Sequence, residues 1–121
     1  MRRRRTHPRR RDAPRWTAED WEAATFTLLT RDRGRCPWCT RPLDDRAERH
    51  HRRRARDGGD RYSNLLLMHP ECHAAAHGSP ERARSAGVIV PVFGAPPPTW
   101  PVMMDGRWWL LDDAGNRRVV P

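Results

Sequence analysis

Thiols and imidazoles are concentrated in about one third of this short chain. All three cysteines and five of the six histidines lie between Cys36 and His77. Groups of this kind at short, regular spacings usually indicate bound metal ions. The remaining histidine, His7, lies in an arginine run near the N-terminus. We therefore expect the chemistry of this protein to reside in residues 36–77.

Two short motifs form the first candidate metal site. Cys36 and Cys39 are separated by two residues, and so are His69 and Cys72 further along the chain. A Cys-x-x-Cys pair alone is also typical of a redox couple, but the second half-site favours a shared zinc ion. The four residues predict a closed tetrahedral Cys₃His site. A closed site leaves no position for a substrate, so we expect this zinc to be structural.

The histidines outside that set form a second candidate site. His73 and His77 are four residues apart on a predicted helix and therefore face the same way. His50 and His51 are adjacent on a predicted strand, so their side chains point to opposite sides. One of the two can join the helix pair as a third metal ligand while the other stays free. Three histidines around an ion with open positions are typical of a catalytic site, and a free histidine beside it is a candidate general base.

Local signals predict the elements that position these residues. Residues 50–56 are expected to form a strand, residues 57–60 (Asp-Gly-Gly-Asp) a turn, and residues 61–67 a returning strand that ends in an apolar run. Residues 71–77 are rich in alanine, which favours a helix. The order is therefore strand, turn, strand, helix.

A further helix is expected before the first cysteine. Thr17 can cap it, and Asp20 stands at the capping-box position. Apolar residues then recur at helical spacing. They are Trp21, Ala24, Leu28 and Leu29. We interpret this stripe as a packing face that lies against the metal core.

This arrangement resembles the HNH family of endonucleases, whose fold is the ββα-metal or His-Me finger. The residues that carry the resemblance are Cys36-Pro37-Trp38-Cys39, His50-His51, Asp57-Gly58-Gly59-Asp60, the run from Asn64 to His73, and His77. The histidines are similar to those of colicin-type members. The zinc motifs are similar to those of bacterial and phage members, except that His69 stands where a third cysteine is usual. The resemblance implies a small α+β fold: a zinc-stapled ββα-metal domain with an N-terminal helix and a C-terminal hairpin extension.

The resemblance also implies a role for each site residue. His51 would be the general base that takes a proton from the attacking water, and Asn64 would position the loop that aims it. His50, His73 and His77 would hold a divalent ion, Mg²⁺, Mn²⁺, Ni²⁺ or Zn²⁺, which would stabilise the transition state and the leaving 3′ oxygen. The implied products are a 5′-phosphate and a 3′-hydroxyl, with one strand cut per site.

The distribution of charge favours a nucleic-acid partner. The chain has 24 arginines, no lysine and a formal net charge of +9. Residues 1–15 contain eight arginines and one acid, a net +7, so the remainder carries +2. Such a block is typical of a disordered arm that attracts phosphate, with a solubilising tail as the alternative. Arg52 and Arg54 share one face of the predicted strand. We expect them to contact the phosphates of double-stranded DNA, unless that face is merely solvated.

We divide the chain into an arm (residues 1–15), an HNH nuclease domain (16–80, with its core at 36–77) and an extension (81–121). In the extension, residues 88–93 are predicted to form an edge strand or extended arm, and residues 95–101 a polyproline-like segment. A hairpin is expected from Trp108 to Val120. Trp108 and Trp109 could pack on the domain or form a partner surface. Tails of this kind resemble those of small phage HNH proteins that act beside the DNA-packaging terminase.

Three cysteines cannot close a disulfide framework, and no apolar run reaches the length of a signal peptide or membrane span. We therefore expect a cytoplasmic protein of a bacterium or a phage-infected host, with no membrane partner. Two alternatives to an active nuclease remain. One is a non-catalytic zinc module that binds nucleic acid, and the other is an accessory subunit that depends on a partner. The oligomeric state is not predicted, although a double-strand break would need two sites.

Overall fold

The computed structural model describes residues 13–121, which form a small α+β fold as expected. In that range there are four helices and five strands: α1 (Ala18–Arg31), β1 (Glu48–His51), α2 (Ala55–Gly58), β2 (Leu65–Met68), α3 (Pro70–Gly78), α4 (Pro80–Ser85), β3 (Val102–Met104), β4 (Arg107–Leu111) and β5 (Arg117–Val119). Two 3₁₀ turns are present at Tyr62–Asn64 and Pro97–Thr99. Most of the predicted arm, residues 1–12, lies outside the described residues. None of the described helices is long and apolar enough to cross a membrane.

Strand β2 is the centre of the fold because it is buried on both faces. Alternate side chains of a strand point to opposite sides. Leu65 and Leu67 pack with Leu28 of α1. Leu66 and Met68 pack on the other side, with residues of α3 and of the C-terminal sheet. The β1–β2 hairpin is therefore a layer between α1 and the rest of the molecule.

Helix α1 begins as its sequence predicts. Thr17 accepts a hydrogen bond from the backbone N–H of Asp20, and the Asp20 carboxylate accepts one from the N–H of Thr17. Leu28 is buried and Trp21 packs on the same cluster, whereas Leu29 is exposed and lies outside the stripe. The capping box and the stripe together fix α1 against one face of the hairpin.

The predicted strand over residues 50–56 is shorter in the structure. β1 ends at His51, and Ala55–Gly58 form the single turn of α2. Gly59, at a φ of +74°, then lets the chain reverse. Arg52, Arg53 and Arg54 lie in a loop, so the alternation of faces that we expected of them does not apply.

The elements after α3 differ from the prediction in three places. Helix α4 was not predicted, and it follows α3 after a single residue. Residues 88–93 form no strand, and a 3₁₀ turn lies within residues 95–101. β4 and β5 form the expected hairpin, but β3 pairs with the other edge of β4 to give a three-stranded sheet. Proline fixes φ at a value that a 3₁₀ turn and a polyproline segment share, so the local sequence does not decide between them.

One hydrophobic cluster joins the zinc motifs to the C-terminal extension. It contains the buried Cys72 together with Val88 and Leu111. Trp109 packs against this cluster, whereas Trp108 is exposed. The predicted boundary between domain and extension therefore does not separate two hydrophobic cores.

Candidate metal centres and active site

The two zinc motifs meet at one point, here called the Cys₃His site. Cys36, Cys39, His69 and Cys72 place their ligand atoms within 4.8 Å of one another. Nδ1 of His69 lies 3.2 Å from Sγ of Cys39, and its Nε2 lies 2.9 Å from the carbonyl oxygen of Pro42. A carbonyl oxygen can only accept, so Nε2 carries the proton and Nδ1 is free to bind a metal. The donor set therefore fits a tetrahedral zinc ion.

Local backbone structure positions each half of the Cys₃His site. Thr40, at a left-handed φ of 66°, lets the chain turn back so that its N–H donates to the Cys36 carbonyl oxygen at 2.8 Å. On the other side, Pro70 starts α3, so that His69 stands just before the helix and Cys72 lies in its first turn. Each motif is thus presented by a defined turn.

Two thiols of this site differ in their tendency to ionise. Burial opposes ionisation of Cys39, but hydrogen bonds from Arg41 and from the other two thiols outweigh it and lower the pKa of Cys39 to about 6. Burial, together with the neighbouring Cys39 and Cys36, raises the pKa of Cys72 to about 12. Cys39 is therefore the more readily ionised of these two thiols. A divalent cation would stabilise thiolates at this site.

A second set of ligands, here called the histidine cluster, forms where β1 faces α3. Its members are His50, His73 and His77, and their ligand atoms also lie within 4.8 Å of one another. The ring centroids of His50 and His73 are 5.1 Å apart, and those of His73 and His77 are 4.9 Å apart. Burial, with a smaller contribution from the neighbouring histidines, lowers the pKa of His50 to about 4. His50 is therefore neutral near pH 7, which is the form that binds a metal ion.

Two outer contacts decide which ring nitrogens face the histidine cluster. Nε2 of His50 donates to the carbonyl oxygen of Val88 at 2.7 Å, which leaves Nδ1 free. Nδ1 of His73 lies 2.9 Å from Oε1 of Glu48, which leaves Nε2 free. Contacts of this kind set the tautomer and orientation of metal-binding histidines. The cluster therefore fits a divalent ion with three nitrogen ligands.

His51 lies on the opposite face of β1 from His50. It pairs across the hairpin with Leu65, and its ring stands edge-on to Trp21 with centroids 6.2 Å apart. Nε2 of His51 is 2.8 Å from Oδ1 of Asp60, and the side chain is 23 % exposed. A partly exposed imidazole that is held at one nitrogen can accept a proton at the other.

Asn64 ties together the loop between β1 and β2. Its Oδ1 accepts from the N–H of Arg53 at 2.7 Å, and its Nδ2 donates to the carbonyl oxygens of Arg53 and Gly59 at 2.8 and 3.0 Å. The Asn64 side chain is fully buried. A Cβ at Gly58 would lie 2.6 Å from Nδ2 of Asn64, so this close approach requires glycine. The loop that begins next to His51 is fixed at both ends.

Residues 36–79 match the family model of the HNH endonucleases. They form an HNH domain. The matched segment contains the Cys₃His site, the histidine cluster, His51 and Asn64, so the predicted relationship is confirmed for this part of the chain. Proteins of this family are generally nucleases that act on DNA. No curated protein and no solved structure gives a significant match to the chain.

The prediction that Arg52 of the HNH domain contacts DNA is wrong. Its side chain is 1 % exposed. The guanidinium donates to the carbonyl oxygens of Gly87 and Ser63, each at 2.9 Å, and of Trp100 at 2.6 Å. Burial, with help from nearby arginines, lowers the pKa of Arg52 to about 9. Arg52 holds the C-terminal extension against the hairpin, and its donors are not available to phosphate.

The next two arginines of the HNH domain differ in their surroundings. Arg53 donates from Nη2 to the carbonyl oxygens of Gly94 and Ala95 at 3.0 and 2.7 Å. Arg53, like Arg52, thus donates hydrogen bonds to carbonyl oxygens of the extension. Arg54 has a side chain that is 62 % exposed, with Nε 3.5 Å from Oδ2 of Asp57. The contact of Arg54 with DNA stays a prediction.

Sequence reasoning missed two side chains at the HNH site. Glu48 contacts His73, and Asp60 contacts His51. The alternation of β1 could have indicated Glu48, because it lies two residues before His50 and on the same face. For Asp60, the sequence predicts only a place in a turn. Its approach to His51 depends on the path of the whole loop, which has no local sequence signal.

Proposed function

We propose that the protein is a metal-dependent endonuclease that hydrolyses phosphodiester bonds of double-stranded DNA. The observation that carries this proposal is the division of two adjacent histidines of β1. His50 joins His73 and His77, while His51 stays free on the other face. One strand thus offers an ion ligand on one face and a proton acceptor on the other. The match of residues 36–79 to the HNH family supports the same activity.

The two metal sites are proposed to have different roles, one structural and one catalytic. The Cys₃His site would hold a structural zinc ion, because protein atoms fill all four positions. The histidine cluster would hold a divalent ion, Mg²⁺, Mn²⁺, Ni²⁺ or Zn²⁺. Such an ion supplies positive charge to the scissile phosphate and the leaving oxygen.

His51 is the proposed general base. Its Nδ1 takes a proton from water as the water oxygen bonds to phosphorus. The bond between phosphorus and the 3′ oxygen breaks, and that oxygen takes a proton from the solvent. The products carry a 5′-phosphate and a 3′-hydroxyl. Asn64 keeps the loop next to His51 in place and does not itself react. One such site cuts one strand, so a double-strand break requires two sites.

Nicking of supercoiled plasmid tests the proposal. Zinc-loaded wild type should convert the plasmid to open circles with at least one of the four ions, and EDTA should prevent it. His51→Ala should lower the rate by about 10²- to 10⁴-fold, the usual contribution of a general base, with zinc content unchanged and the protein still folded. His7→Ala makes the same substitution in the arginine-rich arm and serves as the matched control, with a rate close to wild type.

Other results would point to other functions. A wild-type protein that binds DNA and zinc but cuts with no ion would indicate a non-catalytic binding module. Equal cutting by wild type and His51→Ala would exclude His51 as the base. A protein that cuts only after a partner is added would indicate an accessory subunit.

We also propose a cytoplasmic setting, in a bacterium or a phage-infected host, with a terminase as partner. The three cysteines are free, and free thiols are typical of reducing compartments, where disulfides are rare. The likeness of the tail to those of small phage HNH proteins supports a role in DNA packaging. Nicking assays with and without purified terminase test this partner. Faster nicking in its presence would support the role, and an unchanged rate would contradict it.

A further inference from the structure

Asp60 is a buried carboxylate whose two oxygens have different partners. Oδ1 lies 2.8 Å from Nε2 of His51, and Oδ2 accepts the backbone N–H of Trp16 at 2.8 Å. The residue is 6 % exposed, and its own N–H donates to the carbonyl oxygen of Pro14 at 2.8 Å. Three contacts thus fix the position of Asp60 relative to β1 and to the segment before α1.

The contact with Asp60 determines which nitrogen of His51 carries the proton. A carboxylate oxygen accepts and cannot donate, so Nε2 of His51 must be the donor. Nδ1 then keeps its lone pair. Among the ion pairs of residues 13–121, His51 is the only basic side chain that meets Asp60. The negative charge of Asp60 is therefore directed at the ring that gains a proton in the reaction.

We propose that Asp60 is a positioning residue that holds His51 in the tautomer protonated at Nε2 and so leaves Nδ1 as the proton acceptor. This inference rests on the proposed nuclease function. A buried carboxylate orients a histidine base in the same way in the catalytic triad of serine proteases. Asp60 acts through His51 and is not itself a reacting group.

A purely structural role for Asp60 predicts a different outcome. In that case the residue would serve to anchor residues 14–16, and the contact with His51 would have no effect on cutting. Any substitution that keeps the hydrogen bond to Trp16 would then keep the activity. Asp60→Asn separates the two roles, because asparagine has the shape of aspartate but only one accepting oxygen.

Asparagine at position 60 should reverse the tautomer of His51. If its Oδ1 accepts from the N–H of Trp16, its amide N–H₂ faces Nε2 of His51 and must donate to it. The His51 proton then moves to Nδ1, and the base is lost. The opposite orientation of the amide would set two donors, the amide and the N–H of Trp16, against each other in a buried place. That unpaired arrangement is costly, so the first orientation should prevail.

Nitrogen-15 NMR of the histidine rings and single-turnover nicking test the inference on the zinc-loaded protein. In wild type, the His51 ring should carry its proton on Nε2, and in Asp60→Asn on Nδ1. The cutting rate of Asp60→Asn should fall by about 10²-fold or more, with DNA affinity and zinc content unchanged. Asp57→Asn is the matched control, because it makes the same change in the same loop and does not contact His51. It should keep the wild-type tautomer and rate.

The two measurements separate failure of this inference from failure of the proposed function. A wild-type His51 protonated on Nδ1 would overturn the inference whatever the activity, and so would an Asp60→Asn protein with the wild-type tautomer and rate. A wild-type protein that cuts no DNA but shows the Nε2 proton would overturn the nuclease proposal and support the tautomer assignment. The wild-type spectrum needs no variant, so the inference can be tested even if Asp60→Asn fails to fold.

Discussion

The Arg52 guanidinium donates a 2.6 Å hydrogen bond to the carbonyl oxygen of Trp100, which lies 48 residues further along the chain. This contact joins the loop next to His51 to the C-terminal extension. The adjacent Arg53 reaches the same extension at Ala95. Arg52 and Arg53 therefore stabilise the fold, and they do so through the backbone of a distant segment.

Arg52→Ala is expected to lower the free energy of unfolding by about 3 kcal/mol or more, because several buried carbonyl oxygens would lose their donor. Denaturant unfolding of the zinc-loaded protein measures the change. Arg54→Ala removes an exposed arginine from the same loop and should change stability by about 0.5 kcal/mol or less. Equal stability of the two variants would contradict the assignment of Arg52 to the interior.

Arg54→Ala is expected to weaken binding to all DNA sequences alike. An arginine that contacts one phosphate contributes about one unit to the slope of log K against log salt concentration. Binding isotherms at several salt concentrations measure that slope. Arg118→Ala, on the C-terminal sheet, is the comparison and should leave the slope unchanged. An unchanged slope for Arg54→Ala as well would remove Arg54 from the DNA contact surface.

Cys39→Ser is expected to release the structural zinc and destabilise the fold by on the order of several kcal/mol, because metal binding and folding are coupled. Zinc content by mass spectrometry and thermal unfolding with and without a chelator measure both effects. Wild type treated with the chelator should behave like the variant. A Cys39→Ser protein that stays folded without zinc would contradict the structural role of the Cys₃His site.

Asn64→Ala is expected to slow DNA cutting by about 10-fold or more while zinc stays bound, because a misplacement of about 1 Å is costly at an active site. The variant leaves the Arg53 N–H and the Gly59 carbonyl oxygen without their side-chain partner. Plasmid nicking and zinc content are the measurements. Asn64→Asp has nearly the same shape but sets a carboxylate against carbonyl oxygens, so it should also be impaired. Full activity in both variants would exclude a positioning role.

The stability of the protein is expected to depend on pH through His50. Burial lowers the pKa of folded His50 from 6.5 to about 4. Between these values the unfolded chain takes up a proton that the folded chain does not, so acid favours unfolding. As the pH is lowered from 6.5 to about 4, the free energy of unfolding should decrease in both proteins. The decrease should be steeper in wild type than in His50→Gln, by up to about 1.4 kcal/mol per pH unit. Denaturant unfolding without added catalytic ion measures the difference, and parallel pH profiles would contradict it.

The grouping of the cysteines and histidines of the HNH domain into sites could be predicted from sequence, because their spacing decides which side chains face the same way. Residues four apart on a helix must share a face, which brought His73 and His77 together. Adjacent residues on a strand must face opposite sides, which separated His50 from His51. The Cys-x-x-Cys and His-x-x-Cys motifs each fit one turn. These rules act over a few residues and need no knowledge of the rest of the chain.

The long-range contacts could not be predicted in the same way. Alternation along the predicted strand puts Arg52 on one face with Arg54, where a contact with DNA phosphate is expected. The burial of Arg52 depends on carbonyl groups of a segment that is far away in sequence, and that segment forms no regular strand. Asp60 likewise reaches His51 only because the loop between β1 and β2 turns through α2 and Gly59. The side chains that support the site were missed because tertiary structure alone brings them there.

The bond from His50 to the carbonyl oxygen of Val88 has a consequence for synthesis of the protein. A ribosome makes the chain from the N-terminus, and segments can fold as they emerge. Both zinc motifs and all the histidines precede Val88, so metal ligands are exposed before the carbonyl that orients His50 has been made. The Trp100 carbonyl oxygen, which accepts a hydrogen bond from Arg52, is synthesised later still. A nascent chain can therefore bring together the ligands of the Cys₃His site before the contacts that orient His50 and Arg52 exist.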